Sequence, residues 1–409
     1  MKILKASWVI TCDDNSTIIK DGAVVFDKKI IDVAKIDFIK EKYPNIQIEE
    51  LGKNSVLMPG LINSHIHLEF SSNSTTLKYG NFMSWLNSVI TSREKLIQKA
   101  TKQLIKDELE SIKNSGTTTI GAISSYSFDL EACFESDLNI VFFNEVIGSK
   151  PDMIDTLLAD FKSRLSLSQK NSRDGFYPAV AIHSPYSVHP FLVREALKIA
   201  DDNNLAVSAH FLESPEEFEW LHKDEGGFLE FFKNFLGQEK AVTKPIEFLN
   251  QFKNIEKLSF THCVEASLND LEKIKELNGV INHCATSNRF LNNTKLDIKK
   301  LFDLNIPFSI GTDGLSSNNS LSMFDELRNS LMVHTKHNIL TLSKRLIIAA
   351  TKNGSDALGL NKGVLSKNKD ADIIAFYLPD DIEDESDIYM NIILHTKNVD
   401  KTIIGGRDV

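Results

Sequence analysis

Residues 60–67 read Gly60-Leu61-Ile62-Asn63-Ser64-His65-Ile66-His67. An apolar start runs into a polar finish, and two histidines close the stretch. A strand that ends on reactive side chains is what a parallel α/β fold presents at its carboxyl edge. Seven further stretches read as strands: 117–123 (TTTIGAI), 140–146 (IVFFNEV), 179–183 (AVAIH), 205–210 (LAVSAH), 258–262 (LSFTH), 280–283 (VINH) and 307–313 (PFSIGTD), and most of them end on a histidine or an aspartate. Several are apolar almost throughout, as parallel strands covered on both faces should be. Between them lie segments such as 191–203 and 268–277, with apolar residues three and four apart and charges elsewhere. These predict amphipathic helices. Strand then helix, eight times over roughly 300 residues, predicts an α/β protein built on a (β/α)8 TIM-like barrel. A doubly wound open sheet would want G-x-G-x-x-G after its first strand, and the chain has none.

Outward from the barrel, both ends of the chain are β-rich. Residues 6–11 (ASWVIT), 22–26 (GAVVF) and 29–35 (KIIDVAK) are short β-branched runs separated by turns, and 371–378 (ADIIAFYL) and 399–409 (VDKTIIGGRDV) resemble them. Residues 1–58 and 364–409 are therefore expected to form one small β-sandwich domain, with 59–363 as the barrel. The acidic run Asp380, Asp381, Glu383, Asp384, Glu385 and Asp387 reads as a solvated loop of that small domain.

Composition removes several function classes. The 409 residues carry 46 basic and 56 acidic side chains, a net charge of −10, so nucleic acid is not an expected partner. A hydrophobic fraction of 42% excludes disorder as the overall state. No apolar run approaches ~18 residues, so no membrane span is expected. The opening MKILKASWVITCDDNS lacks the apolar core of a signal peptide. The cysteines Cys12, Cys133, Cys263 and Cys284 are scattered without a C-x-x-C pair, which argues against a disulfide framework and for a reducing cytoplasm.

Six of the eleven histidines (His65, His67, His183, His210, His262 and His283) fall at ends of expected strands, and Asp313 ends the eighth. In a barrel those ends converge on one face. His65 and His67 lie two apart on a strand and so point to one side. Together they offer two nitrogens to a borderline metal such as zinc. His210 adds a third nitrogen, although a lone histidine there could equally be a bonded core residue. Asp313 adds a carboxylate, although Asp-Gly is also a strong turn signal. Three nitrogens and one oxygen leave room for water, as a catalytic metal site requires. Glu213, three residues past His210, is placed to shuttle a proton. The competing reading is helix capping, since Ser214-Pro215-Glu216-Glu217 announces a helix start. His262 could orient water or polarise substrate, and His183 could meet a ring nitrogen.

At this point the motifs resemble a known family. Met58-Pro59-Gly60-Leu61-Ile62-Asn63-Ser64-His65-Ile66-His67 is similar to the opening motif of the amidohydrolase superfamily. His210-Phe211-Leu212-Glu213, Thr261-His262-Cys263-Val264, His283-Cys284-Ala285-Thr286-Ser287-Asn288 and Gly311-Thr312-Asp313-Gly314 follow in that family's order. The set resembles the branch that holds chlorohydrolases, guanine deaminases and S-adenosylhomocysteine/methylthioadenosine deaminases. The resemblance implies that His65, His67, His210 and Asp313 bind one divalent metal, zinc first and iron as the alternative. It implies Glu213 as proton shuttle, His262 as the residue positioning water, His183 as a contact to the substrate base and His283 in a supporting role. The branches with two metals carry a bridging lysine at strand four, and Ala181-Ile182-His183-Ser184-Pro185-Tyr186 has none, so one metal is implied.

The same resemblance guides the substrate. Adenosine-type deaminases carry a Trp-Leu pair after strand one and, nine residues on, an acid that holds ribose; here these are Trp85, Leu86 and Glu94. Trp85 would serve equally in helix packing. The homocysteine-type arginines after strand three are missing from Asn144-Glu145-Val146-Ile147-Gly148-Ser149-Lys150. Leu68-Glu69-Phe70-Ser71 and Gly80-Asn81-Phe82 resemble the aminodeoxyfutalosine deaminases of menaquinone biosynthesis, whose nucleoside carries a carboxyphenyl group. Phe70, Phe82, Phe211 and Phe290 are candidates to pack an aryl group, with Arg289 or Lys150 as carboxylate partner; each phenylalanine could equally be core. The expected reaction is hydrolytic deamination of 6-amino-6-deoxyfutalosine to futalosine and ammonia. The alternatives are S-adenosylhomocysteine/methylthioadenosine deaminase, guanine deaminase, chlorohydrolase or a non-catalytic scaffold. The expected partner is a small-molecule nucleoside, with a homodimer left open.

Overall fold

The computed structural model describes residues 1–72 and 75–409. Eight parallel strands form the central barrel: Leu61–Ile66, Thr117–Ser124, Asn139–Val146, Phe176–Ile182, Val207–Phe211, Leu258–His262, Val280–His283 and Phe308–Ile310. Each pairs with the next in chain order. The seam between the eighth and first strands is closed by polar groups. Ser64 Oγ donates to Ile310 O at 2.9 Å, Asn63 Nδ2 to Thr312 Oγ1 at 2.7 Å, and Asp313 N to His65 O at 3.0 Å. The eighth strand is shorter than the expected 307–313 because residues 311–313 leave the sheet to make this closure.

The connecting helices follow from their sequences. In Pro190–Asp202, Pro190 stands in the first turn and His189 Nδ1 accepts from Phe191 N at 3.2 Å. Leu192, Val193, Ala196, Leu197 and Ala200 then fall on one buried face. In Leu268–Glu276, Ser267 and Asp270 form a reciprocal capping box.

Both termini meet in a second sheet, as expected. Its strands are Lys2–Ile10, Ile18–Phe26, Ile30–Lys35, Ile48–Glu50, Ser55–Pro59, Ile373–Tyr377, Lys401–Ile404 and Arg407–Asp408. Ser55–Pro59 pairs antiparallel with Ile373–Tyr377, which stitches the two chain ends together. A buried ion pair ties this sheet to the barrel. Lys362 Nζ lies 2.9 Å from Asp372 Oδ2, and Asp372 also accepts from Asn139 Nδ2 at 2.9 Å and Gly405 N at 2.8 Å. Among the described residues, no helix is long and apolar enough to cross a membrane.

Candidate active site

The carboxyl ends of the barrel strands bring His65, His67, His210, His262 and Asp313 together. The ring of His65 lies 4.9 Å from that of His67 and 4.8 Å from that of His210, and His67 Nε2 is 3.3 Å from His210 Nε2. Asp313 Oδ1 faces His65 Nε2 at 3.8 Å and His67 Nε2 at 3.6 Å. Hydrogen bonds fix which ring nitrogens look inward. His210 Nδ1 donates to His183 O at 2.7 Å, and His65 Nδ1 meets Thr261 Oγ1 at 3.2 Å. That leaves both Nε2 lone pairs aimed at a common point. Ser287 and Ser317 donate to Asp313 Oδ2 at 2.7 and 2.9 Å and hold that carboxylate's second oxygen away from it.

These residues fit a metal. His65 Nε2 is buried and has no hydrogen-bond partner, an orphan that a ligated ion would satisfy. The sets His65–His67–Asp313 and His65–His210–His262 each bring three ligand atoms within 4.8 Å of one another. Burial, then the neighbouring imidazoles, lower the basicity of the site: His210 falls to about 3, and His65 is held well below its ordinary value. Neutral imidazoles are the form that ligates. Burial opposes ionisation of Asp313, yet the facing His67, His262 and His65 hold it below the usual carboxylate range.

Glu213 and His262 stand beside this cluster. Glu213 Oε1 is 3.6 Å from His262 Nε2, while His262 Nδ1 donates to Asn288 Oδ1 at 3.1 Å. Capping of the helix Pro215–Lys223 falls to other groups. Ser214 Oγ accepts from Glu217 N at 3.1 Å, and Glu217 Oε2 accepts from Glu213 N at 2.8 Å. The Glu213 carboxylate is thus free of the helix end and turned to the site. Burial, then Asp313 and Glu217, push it well above the usual carboxylate range.

The cluster floors a cavity of about 490 Å³ that His183, Trp85, Phe70 and Lys150 also line. That is the size of a small-molecule site. His183 Nδ1 is held by Ser187 Oγ at 2.6 Å, and Trp85 Nε1 donates to Ser316 O at 2.8 Å. Three expected substrate contacts are not brought there. Glu94 is exposed and off the cavity; the helix Phe82–Lys99 is unbroken, and nine residues from Trp85 turn it roughly 180° away. Its neighbour Arg93 lines the cavity instead. Phe82 is buried against Trp85 and Phe228, with ring centroids at 5.6 and 6.0 Å, so it supports the wall from behind. Arg289 is exposed on the short helix Ala285–Phe290, away from the cavity. His283 bonds to His334, Nε2 to Nε2 at 2.9 Å, and supports the strand end.

Sequence reading missed Glu145, Ser125 and Tyr126. Glu145 lies at the end of the third strand, buried in the cavity wall, and accepts from Ser125 Oγ at 2.5 Å. An acid at a strand end was the available signal, the same one that pointed to Asp313.

Known proteins share this architecture. The chain is 45% identical over 408 residues to the aminodeoxyfutalosine deaminase of a Nitratiruptor species, covering 100% of this chain and 99% of that one. It is 34% identical over 415 residues to a Helicobacter pylori protein named adenosine deaminase, covering 100% and 99%. It matches the crystal structure of H. pylori aminofutalosine deaminase in complex with methylthio-coformycin with a TM-score of 0.95, at 33% identity over 100% of both chains. The sequence model of the amidohydrolase family matches residues 56–409, and the chain belongs to that family.

Proposed function

We propose that the protein is a metal-dependent aminohydrolase that deaminates 6-amino-6-deoxyfutalosine to futalosine and ammonia, a step of menaquinone biosynthesis. The observation that carries the chemistry is the Glu213 carboxylate, 3.6 Å from His262 and freed from helix capping, beside three convergent imidazoles and Asp313. The substrate reading rests on the 45% identical relative and its name.

His65, His67, His210 and Asp313 would hold one divalent metal, zinc first and iron second. When bound, the metal supplies Lewis acidity that lowers the pKa of water from ~15.7 toward ~7. His262 and Asp313 orient the attacking water, and Asp313 accepts its proton. Glu213 delivers its proton to the ring nitrogen as water adds to C6 of the purine, takes up the proton of the added hydroxyl as the carbonyl forms and passes it to the departing amine, and the proton held by Asp313 then restores Glu213. Ammonia leaves and the ring carbon becomes a carbonyl. His183, pushed down to about 3 by burial, stays neutral and can bond the base without adding charge. The four cysteines, all buried and unpaired, support a reducing cytoplasmic setting.

The test is a steady-state panel on metal-counted protein with 6-amino-6-deoxyfutalosine, methylthioadenosine, S-adenosylhomocysteine, adenosine and guanine, reading ammonia release. The first compound is expected to give the highest kcat/KM. A large preference for guanine or S-adenosylhomocysteine would overturn the substrate and leave the family standing.

A further inference from the structure

Resting on the aminohydrolase reading above, we infer that Glu326 is a positioning residue for the reaction: from outside the cavity it ties the turns after the seventh and eighth strands to one helix and so sets the aim of Asp313 and His262. Glu326 is buried on the helix Met323–Val333 and does not line the cavity. Its Oε1 accepts from Thr286 N at 3.0 Å and its Oε2 from Asn318 Nδ2 at 3.1 Å. Each partner stands next to the site. Thr286 lies in the first turn of the helix Ala285–Phe290, where Ser287 donates to Asp313 Oδ2 and Asn288 Oδ1 accepts from His262 Nδ1. Cys284, before that helix, offers no side-chain cap, so Glu326 supplies one from another element. Asn318 Nδ2 also donates to Thr312 O at 2.7 Å, one residue before Asp313. A single carboxylate therefore reaches Asp313 along two arms and His262 along one.

The surroundings of Glu326 call for an acceptor and nothing else. Thr286 N and Asn318 Nδ2 are both donors. The Thr286 hydroxyl accepts from Asn329 Nδ2 at 2.8 Å, which leaves its own hydrogen for the Glu326 carboxylate. A carboxylate meets such a set with two oxygens and no hydrogen, whereas an amide would set N–H against N–H. Arg328, two residues on, does not serve as counter-ion, because it pairs with Asp325 at 2.6 Å. Burying a carboxylate without a cation is costly, and an apolar side chain would fill the same space at lower cost. The turns it holds account for its presence. Asp313 and His262 sit at φ of +60° and +71°, conformations that persist only where neighbours fix them. Arg328 anchors the same helix at another point, donating from Nη1 to Ile393 O at 2.8 Å and Thr396 O at 2.7 Å, and it touches neither turn. Docking of the helix and aiming of the site thus fall to different residues.

The experiment compares Glu326→Gln, Asn318→Ser and Arg328→Met with the wild type, each as the metal-loaded full chain. Three quantities are read: kcat and KM on the nucleoside panel above, the rate at which a chelator strips the metal, and the thermal midpoint. Glu326→Gln is expected to lose at least about 10-fold in kcat with KM within about 2-fold, since the cavity lining is untouched, and to release metal several-fold faster. Asn318→Ser cuts one arm and is expected to move both quantities in the same direction by less; it decides the matter should Glu326→Gln not fold. Arg328→Met is expected to lower the thermal midpoint and leave kcat and metal release at wild-type values. Wild-type kcat and metal release in Glu326→Gln, a loss carried by KM, or an equal loss of kcat in Arg328→Met would overturn the positioning role while the wild type's own turnover left the aminohydrolase reading intact. A wild type that holds no metal or turns over no nucleoside would overturn both.

Discussion

Glu213 is buried among acids and, among the described residues, has no lysine or arginine to pair with, only the imidazole of His262. Burial and the charges of Asp313 and Glu217 favour its protonated form. A carboxyl in that state can give a proton to a ring nitrogen, which an ordinary carboxylate at neutral pH cannot. Glu213→Gln should therefore retain metal but lose on the order of 10²–10⁴-fold in kcat, read by turnover alongside metal content. Normal turnover in that variant would sink the shuttle role. The residues of the cluster were legible in the sequence because imidazoles and carboxylates at strand ends have few other uses in such number. Glu94, expected at the ribose, does not line the cavity, for a physical reason. A spacing of nine fits a motif on paper, but on an unbroken helix it turns the side chain away from Trp85. Arg289 and Phe82 stand outside the cavity lining, because closeness in sequence to a site residue does not set the direction of a side chain.

At the scale of elements, the strand ends store strain where the chemistry sits. His262, Cys263 and Asp313 have φ of +71°, +52° and +60°, and Leu212, before Glu213, has +47°. Non-glycine residues there cost ~1–3 kcal/mol each and persist only when their surroundings hold them. The turns aim His262, Glu213 and Asp313 at one another, which a regular strand would not do. None of this shows in the residue types, since only the tertiary seam forces it. Gly311 shows the tolerance of that seam. A Cβ at this position would lie 2.8 Å from His65 Cβ and 3.0 Å from His65 O. Gly311→Ala should displace His65, destabilise the fold by ~1–3 kcal/mol and lower bound metal per chain. Thermal melts and metal counting together check this, and full metal occupancy would contradict it.

At the scale of the whole molecule, strand order and the meeting of the termini were both legible, because both ends carry β-branched runs that stand outside the strand–helix alternation of the barrel. The joint between the small sheet and the barrel was not legible, since Lys362, Asp372 and Asn139 are not marked as partners by any local pattern. We propose residues 1–58 with 364–409 as one unit and 59–363 as the other, held together at that joint. Lys362→Met would leave Asp372 buried without its cation, so stability should fall by ~3–5 kcal/mol, measured by denaturant titration. A loss under ~1 kcal/mol would show the pair to be of no consequence. We propose that one cation is gripped where the first, fifth and eighth strands end, by His65, His67, His210 and Asp313. The most direct measurement strips the protein with a chelator and follows deamination while zinc is titrated back against protein of known concentration. Activity should rise linearly and level off at about one ion per chain, and full activity in the stripped protein, or a plateau at two ions, would contradict the account.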